Sequence, residues 1–316
     1  MAIKASGSSL SLSEIQTGWG GSSPISMSEY YSNGANVFSG AEDEAGNDIP
    51  SSGTIKISDF YSTPTISTGA STASNFTSNG TYTVPRGAAT LTIYIHGAGG
   101  GGGMGDESSA GGGGGGGGSG GTVVGTLTLS SNSASDYSSG DSQQTVSVTI
   151  GSGGDGGYST SAHADGGGTS NPTSGGNSYI EYGGETTTAG GGGNGGGFAL
   201  NGTSMSAGSQ VGNTIGSNFS ASTNNSGTSA DGSQGGSGDG FSAAGTAGKA
   251  LASNPLSLTS TGGTAGATSS NSAATGGAAS GYGAGGGGAA SIDRTGDHHW
   301  FGGDGSNGYV RIQVGS

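Results

Sequence analysis

The sequence contains no cysteine, and few of its 316 residues are charged (8%), aromatic (6%) or hydrophobic (28%). The absence of cysteine excludes a disulfide framework, a thiolate metal site and a thiol nucleophile. The shortage of apolar residues excludes two ordinary hydrophobic cores, although the length would allow two domains. Glycine is abundant instead, with 78 residues. Because each interior glycine destabilises a helix by about 1 kcal/mol relative to alanine, long helices are excluded over most of the chain.

Positive charge is also scarce, because 20 acidic residues face only 6 basic ones and the net charge is −14. The basic residues are scattered singly: Lys4, Lys56, Arg86, Lys249, Arg294 and Arg311. Nucleic acids and anionic membranes bind to clustered cations, so we expect neither as a partner. The opening residues lack the apolar core of a signal peptide, and no apolar run approaches the ~20 residues of a membrane span. We therefore expect a protein that is made in a cytoplasm and does not insert into a membrane.

Residues 1–62 form a first module, in which a short phrase recurs at 10–15, 25–30 and 55–60. Each copy alternates apolar and polar residues and then has Ser followed by an acid, which predicts a short strand that leads into one helical turn. The predicted caps of these turns are Ser13, Ser28 and Ser58. Such units bury little alone, so we expect their large side chains to pack against one another or on a partner protein. The candidate docking residues are Ile15, Trp19, Tyr30, Tyr31, Phe60 and Tyr61.

A Thr/Ser linker at 63–75 leads into a glycine-rich β domain at 76–316. Residues 76–85 are typical of a strand, an Asn-Gly turn and a second strand. Alternating apolar residues predict further strands at 90–96, 122–129, 145–150 and 309–314. The fold class that follows is mainly β and irregular: a small antiparallel β-sandwich with little helix, closed by pairing between strands near the two ends of the domain.

Blocks of glycine lie between these strands, at 99–103, 111–118, 190–193, 195–197 and 285–288. A flexible linker is one interpretation of each block. The other is polyglycine II, an extended helix of three residues per turn whose N–H and C=O groups are free to pair with neighbouring chains. Because glycine has no side chain, such helices pack closely and are held by backbone hydrogen bonds of about 1 kcal/mol each. We expect polyglycine II segments, with a loop-rich display region at about 155–290.

Catalytic and metal-binding motifs are missing. No phosphate-binding loop, no Gly-x-Ser-x-Gly elbow and no Gly-rich calcium repeat occurs, so we expect neither an enzyme nor a cofactor. His298 and His299 are neighbours that would point to opposite faces of a strand, which does not favour a metal site. Calcium bound singly by loop aspartates remains open.

Aromatic residues flanked by small ones recur through the glycine-rich region. On a glycine scaffold such side chains either fill a small core or lie on the surface, where they stack on sugars and anchor protein interfaces. The candidate receptor-contact residues are Tyr158, Tyr179, Tyr182, Phe198, Phe219, Phe241, Tyr282, His298, His299, Trp300 and Phe301.

Two parts of the sequence resemble bacteriophage virion proteins. The N-terminal phrase is similar to the Ser-Gly-x-Ile-Ser-Leu-Ser-Asp-Phe-Tyr pattern of many such proteins. Gly80-Thr-Tyr-Thr-Val-Pro85, followed by Gly97-Ala-Gly-Gly-Gly and a terminal Gly308-Tyr-Val-Arg-Ile312, resembles the glycine-rich domain of phage tail fibres and adhesins. The resemblance covers 1–150 and 285–316, and the middle only in composition.

The resemblance implies a multimeric virion component, without catalysis, that is made in the host cytoplasm. The first module would dock it on other virion proteins of the tail, fibre or capsid. The glycine-rich loops would bind a host cell-surface glycan or outer-membrane protein. One alternative is a capsid or tail decoration protein, such as a head fibre, with a structural role. A second is a secreted glycine-rich matrix or ice-binding protein.

Overall fold

A computed structural model describes most of the glycine-rich part of the chain and about half of the N-terminal module. The described residues are 7, 9–19, 24, 26–32, 36–37, 49–61, 73–84, 88, 90–105, 113–129, 144–159, 169–196, 198–199, 203–204, 208–228, 242–243, 247–266, 275–292 and 300–314. At 159, 169, 198–199, 203–204, 242–243, 291–292 and 300 the description covers the backbone only.

The described residues contain one α-helix, α1 (Leu12–Trp19), two 3₁₀ helices (Met27–Tyr30 and Ile57–Phe60) and many short strands. The strands are β1 (Ser74–Phe76), β2 (Gly80–Thr83), β3 (Thr90–His96), β4 (Thr122–Thr128), β5 (Thr145–Thr149), β6 (Tyr158–Ser159), β7 (Thr169–Ser170), β8 (Ser178–Tyr182) and β9 (Glu185–Ala189). They continue with β10 (Phe198–Ala199), β11 (Thr203–Ser204), β12 (Phe219–Asn225), β13 (Ser242–Ala243), β14 (Ser260–Thr261), β15 (Ser280–Gly281), β16 (Ser291–Ile292), β17 (Trp300–Phe301) and β18 (Tyr309–Val314).

The repeated phrase of the first module starts a helix at each copy, but its cap is not the predicted serine. The caps lie two residues earlier, at Ser11, Ser26 and Lys56. In the first copy the Glu14 carboxylate accepts from the Ser11 N–H (2.9 Å) while Ser11 Oγ accepts from the Glu14 N–H (3.3 Å), which is a capping box. The strand predicted at the start of the first and third copies is not formed, because residues 10–11 and 55–56 belong to no strand.

The residue after the acid in each copy enters a shared core. Ile15, Tyr30 and Phe60 have no exposed surface, and Trp19 joins them. The Tyr30 and Phe60 rings meet edge to face, with centroids 6.1 Å apart and planes at 82°. Mutual packing of these side chains, which the sequence predicts as one alternative, is confirmed.

A β-sandwich forms one end of the glycine-rich domain, and the antiparallel fold class is confirmed. One sheet has the strand order β1-β18-β3-β4-β12 and the other β2-β5-β8-β9, with every pair antiparallel. The pairing of β1 with β18 joins the two ends of the domain as expected. Buried apolar side chains from both sheets fill the space between them: Tyr82, Leu91, Ile93, Ile95, Val123, Leu127, Val146, Val148, Ile180, Val310 and Ile312.

The two strands predicted at residues 76–85 are present as β1 and β2, but they do not pair with each other. β1 pairs with β18 in one sheet, and β2 pairs with β5 in the other. The chain crosses between the sheets at 77–79, where Asn79 Oδ1 accepts from the Ile150 N–H (2.8 Å). The polar strand β12 has no apolar alternation and is missed in the sequence; it is the edge strand beside β4.

The glycine blocks form a hydrogen-bonded lattice, as segment 97–105 illustrates. Its N–H groups donate with a period of three: residues 97, 100 and 103 to segment 113–121, residues 98 and 101 to segment 171–177, and residues 99 and 102 to segment 302–308, at 2.7–3.1 Å. Its carbonyls accept, again with period three, from segments 151–157, 190–196 and 284–290. Segment 97–105 is therefore surrounded by six chains. Three residues per turn with every bond directed sideways is the polyglycine II arrangement that the sequence predicts.

Close approach is the reason why these positions are glycine. A Cβ atom on Gly99, Gly101 or Gly102 would lie 1.9–2.0 Å from a backbone carbonyl oxygen of a neighbouring segment. None of these glycines has a positive φ, so the requirement is for space and not for a left-handed backbone. Real Cβ atoms do not come within 3.0 Å of other heavy atoms, so a side chain here would push two segments apart.

Side-chain oxygens complete the edge of the lattice. Backbone N–H groups that have no neighbouring carbonyl donate instead to side chains of Asn, Asp, Ser and Thr at 2.7–3.0 Å. The donor and acceptor pairs are Ser119 with Thr228, Gly153 with Asn307, Asp155 with Thr173, Gly156 with Asp304, Gly190 with Asn213, Gly191 with Asn177, and Ala284 with Ser306. The polar composition of the middle of the chain therefore serves the lattice as well as the loops.

Candidate functional site

The lattice has two different ends. Segments 97–105, 151–157 and 190–196 leave the sandwich from the ends of β3, β5 and β9, and segments 113–121, 171–177 and 302–308 return to β4, β8 and β18. At the far end, here named the distal end, the short pairs β10–β11, β13–β16 and β6–β7–β17 connect outgoing and returning segments. The scaffold therefore presents several chain connections together at one end.

The distal end carries a pair of exposed aromatic rings. Tyr158 on β6 lies directly opposite Phe301 on β17, and their rings stack with centroids 6.3 Å apart and planes at 29°. Their exposed fractions are 39% and 41%, which place them among the most exposed large hydrophobic residues that the structure describes. Because aromatic side chains are usually buried on folding, a stacked pair left on the surface is a candidate contact site.

The other predicted receptor-contact residues do not join this pair. Tyr182 and Phe219 are buried in the sandwich core, where the Tyr182 hydroxyl donates to Gln144 Oε1 (2.7 Å), so their packing favours a structural role. Tyr179 is half-buried on β8, and Tyr282 is half-buried at the sandwich end, with its ring 4.9 Å from that of Tyr309. The side chains of Phe198 and Trp300, and all of Phe241, His298 and His299, lie outside the described residues.

The candidate docking residues of the first module divide into buried and half-buried groups. Ile15, Trp19, Tyr30 and Phe60 make up most of the module core and hold it together. Tyr31 and Tyr61 are half-buried, and the Tyr31 hydroxyl donates to the Gly53 carbonyl. Of the six candidates, only Tyr31 and Tyr61 therefore have side chains that are accessible to a partner protein. Docking of this module on other proteins stays a prediction.

His96 is a buried titratable group at the junction of sandwich and lattice. It has no exposed surface, and burial lowers its pKa from 6.5 to about 4. The Thr122 hydroxyl donates to the Ser253 carbonyl (2.9 Å), so its oxygen accepts the Nδ1–H of His96 (3.0 Å). Nε2 then carries a lone pair without a hydrogen-bond partner. Through Thr122, the neutral ring is linked to the Ser253 carbonyl.

The described residues contain neither a cluster of metal ligands nor a membrane-spanning helix. No group of three or more His, Asp or Glu is arranged to hold a metal ion among them. Within the same residues, no helix is both long and apolar enough to span a membrane.

Sequence reasoning missed the acidic residues that accompany the aromatic pair. Asp155 and Asp304 each lie three residues from one of the two rings, which in a helix of three residues per turn places them on the same side. Both are exposed. The three-residue spacing between each aspartate and the neighbouring aromatic residue is the sequence pattern that indicates this arrangement.

The architecture defines a class of protein: a β-sandwich extended by a finite polyglycine lattice. The family comparison agrees with this description. A family model described as a glycine-rich domain matches residues 72–315, so the chain belongs to that family. A search of curated proteins gives no match.

Proposed function

We propose that the chain is a bacteriophage virion protein, a tail fibre or fibre-tip adhesin, that binds a host surface receptor through the distal end of its glycine-rich domain. The observation that carries the proposal is the polarity of the lattice. Polyglycine segments, of which the central one bonds to six neighbours, form a scaffold with one end closed by the sandwich, while the other end gathers chain connections and the exposed Tyr158–Phe301 pair. Such a scaffold suits display of binding loops better than catalysis.

The N-terminal resemblance supports the virion part of the proposal. The repeated phrase produces a small module with its own core, separate from the sandwich core, which suits a docking unit. If several copies are mounted on one particle, weak individual contacts gain strength from effective concentration.

Adsorption of the purified full-length protein to bacterial cells tests the receptor role. The labelled protein is expected to adsorb to at least one strain of a panel. It should also slow the adsorption, to that strain, of the phage that carries it. The double variant Tyr158→Ala/Phe301→Ala should adsorb more weakly. Val211→Ala is the matched control, since Val211 is equally exposed (41%) but its neighbours lie near the sandwich. Absence of adsorption to every strain, together with no effect on phage, would overturn the receptor role.

A further inference from the structure

One side of the lattice forms a straight facet with a three-residue repeat. Along segment 151–157 the exposed positions are Ser152 and Asp155, and Tyr158 continues the series. Along the antiparallel neighbour 302–308 they are Asp304 and Asn307, preceded by Phe301. Hydrogen bonds from Gly302 to Gly157, Gly305 to Gly154 and Gly308 to Gly151 (2.8–2.9 Å) hold the two columns side by side.

The facet therefore presents three rows of side chains. From the distal end these are the Tyr158–Phe301 ring pair, then Asp155 with Asp304, then Ser152 with Asn307. Rows are separated by one turn of the extended helix, about 9 Å, because each residue rises about 3.1 Å. The Asp304 Oδ1 atom accepts from the Gly156 N–H (2.8 Å) and so fixes its carboxylate at the surface.

We infer that this facet binds a neutral, linear glycan that lies along the two columns, with a hexose seated on the Tyr158–Phe301 pair. This inference rests on the proposed receptor-binding function and names its ligand class. The rings offer an apolar platform for the C–H face of a sugar. The two carboxylates, which accept hydrogen bonds and donate none, match the hydroxyl groups of a unit further along the glycan.

The negative charge of the facet favours a neutral glycan over an anionic one. None of the chain's 6 Lys and Arg lies in either column, while the chain carries a net charge of −14. A sulfated or carboxylated polysaccharide would meet two carboxylates without a compensating cation, which disfavours it. A straight ligand is favoured because the facet repeats in one direction and its backbone is held by hydrogen bonds on both sides.

Retention of the full-length protein on immobilised polymers tests this inference. The probes are dextran, mannan, a β-linked glucan and a galactan as neutral chains, with heparin as the anionic and polylysine as the cationic comparison. Retention on at least one neutral polysaccharide is expected, and about 0.5 M NaCl, roughly threefold above physiological ionic strength, should change it little because no ion pair is involved. Tyr158→Ala should weaken binding about tenfold, which corresponds to the loss of about 1.4 kcal/mol of contact energy.

Further variants distinguish binding at this site from nonspecific binding. Asp155→Asn keeps the shape and exposure of the side chain but loses charge, and Asp155→Ala also loses the acceptor; Ala should weaken binding more than Asn. Val211→Ala should bind like the unmodified chain. Equal binding by the Tyr158→Ala variant would overturn the inference, as would retention on polylysine alone that salt reverses. If the protein still adsorbs to cells while no neutral polysaccharide retains it, the receptor function stands and the glycan assignment fails.

Discussion

The sandwich and the lattice of one domain are stabilised in opposite ways. In the sandwich, large apolar side chains fill the space between two sheets, and stability comes from the volume that they occupy. In the lattice, the space between segments is closed by backbone hydrogen bonds and a methyl group has no room. A chain with 28% hydrophobic residues can therefore order a long domain if it concentrates them at one end.

The largest effect is expected from removal of apolar volume in the sandwich. Ile93 has no exposed surface and lies in the centre of the core. Ile93→Ala should lower the free energy of unfolding by about 4 kcal/mol, because it removes buried surface and leaves a cavity. Chemical denaturation measures the loss. Val211→Ala, at an exposed position, should change it by less than about 0.5 kcal/mol; equal effects of the two variants would contradict the role of the core.

Adding a methyl group to a glycine of the lattice should destabilise the domain, just as removing apolar side-chain atoms destabilises the sandwich. Gly102→Ala would place a Cβ atom 2.0 Å from the Gly287 carbonyl oxygen, and we expect a loss of about 3 kcal/mol because backbone cannot rotate away as a side chain does. Hydrogen–deuterium exchange of peptides from segment 97–105 measures the local opening. The control is Gly212→Ala, since Gly212 has open space around its Cβ position and no positive φ. Unchanged exchange in Gly102→Ala would mean that the lattice is loosely packed.

Sequence reasoning succeeded where a local pattern decides the structure. Alternating apolar residues identified β3, β5 and β18, and glycine blocks identified the lattice. It failed where the pattern is non-local. The polar strand β12 exists because it pairs with β4, and β1 and β2 separate because each has a better partner elsewhere. The helix caps are predicted at Ser13, Ser28 and Ser58, but they lie two residues earlier, at Ser11, Ser26 and Lys56.

The candidate site was less predictable than the fold. An aromatic residue flanked by small ones is equally compatible with a core and with a surface, and Tyr182 and Tyr158 show both outcomes. Tyr182 is buried because it lies in the sandwich, and Tyr158 is exposed because it lies at the distal end. These positions depend on pairing between segments more than a hundred residues apart in the sequence, such as Tyr158 with Phe301.

The junction between the two regions should weaken in acid. His96 has a pKa of about 4 in the folded chain against 6.5 when unfolded. As pH falls below 6.5 the unfolded chain takes up a proton first, so stability that is complete above 6.5 is lost progressively towards pH 4. Linkage gives about 2 kcal/mol between pH 7.5 and 5. Denaturation at both pH values measures this, and His96→Gln should lose that part of the pH dependence; an identical dependence in the variant would assign it to other groups.

The smallest effect is expected at the edge of the lattice, where side chains replace backbone as acceptors. Asn177 Oδ1 accepts from the N–H of Gly191, which is buried, at 3.0 Å. Asn177→Ala leaves this donor without its acceptor and should lower stability by about 1 kcal/mol. Asn177→Asp keeps an oxygen in the same place and should stay closer to the original stability, so thermal unfolding of the two variants separates loss of the acceptor from loss of the side chain.

If alanine were neutral, water would serve as well as Asn177, and the edge would differ from the interior in needing no particular residue. If instead it destabilises as expected, the edge depends on side chains while the interior depends on their absence, and both requirements act within one hydrogen-bonded lattice.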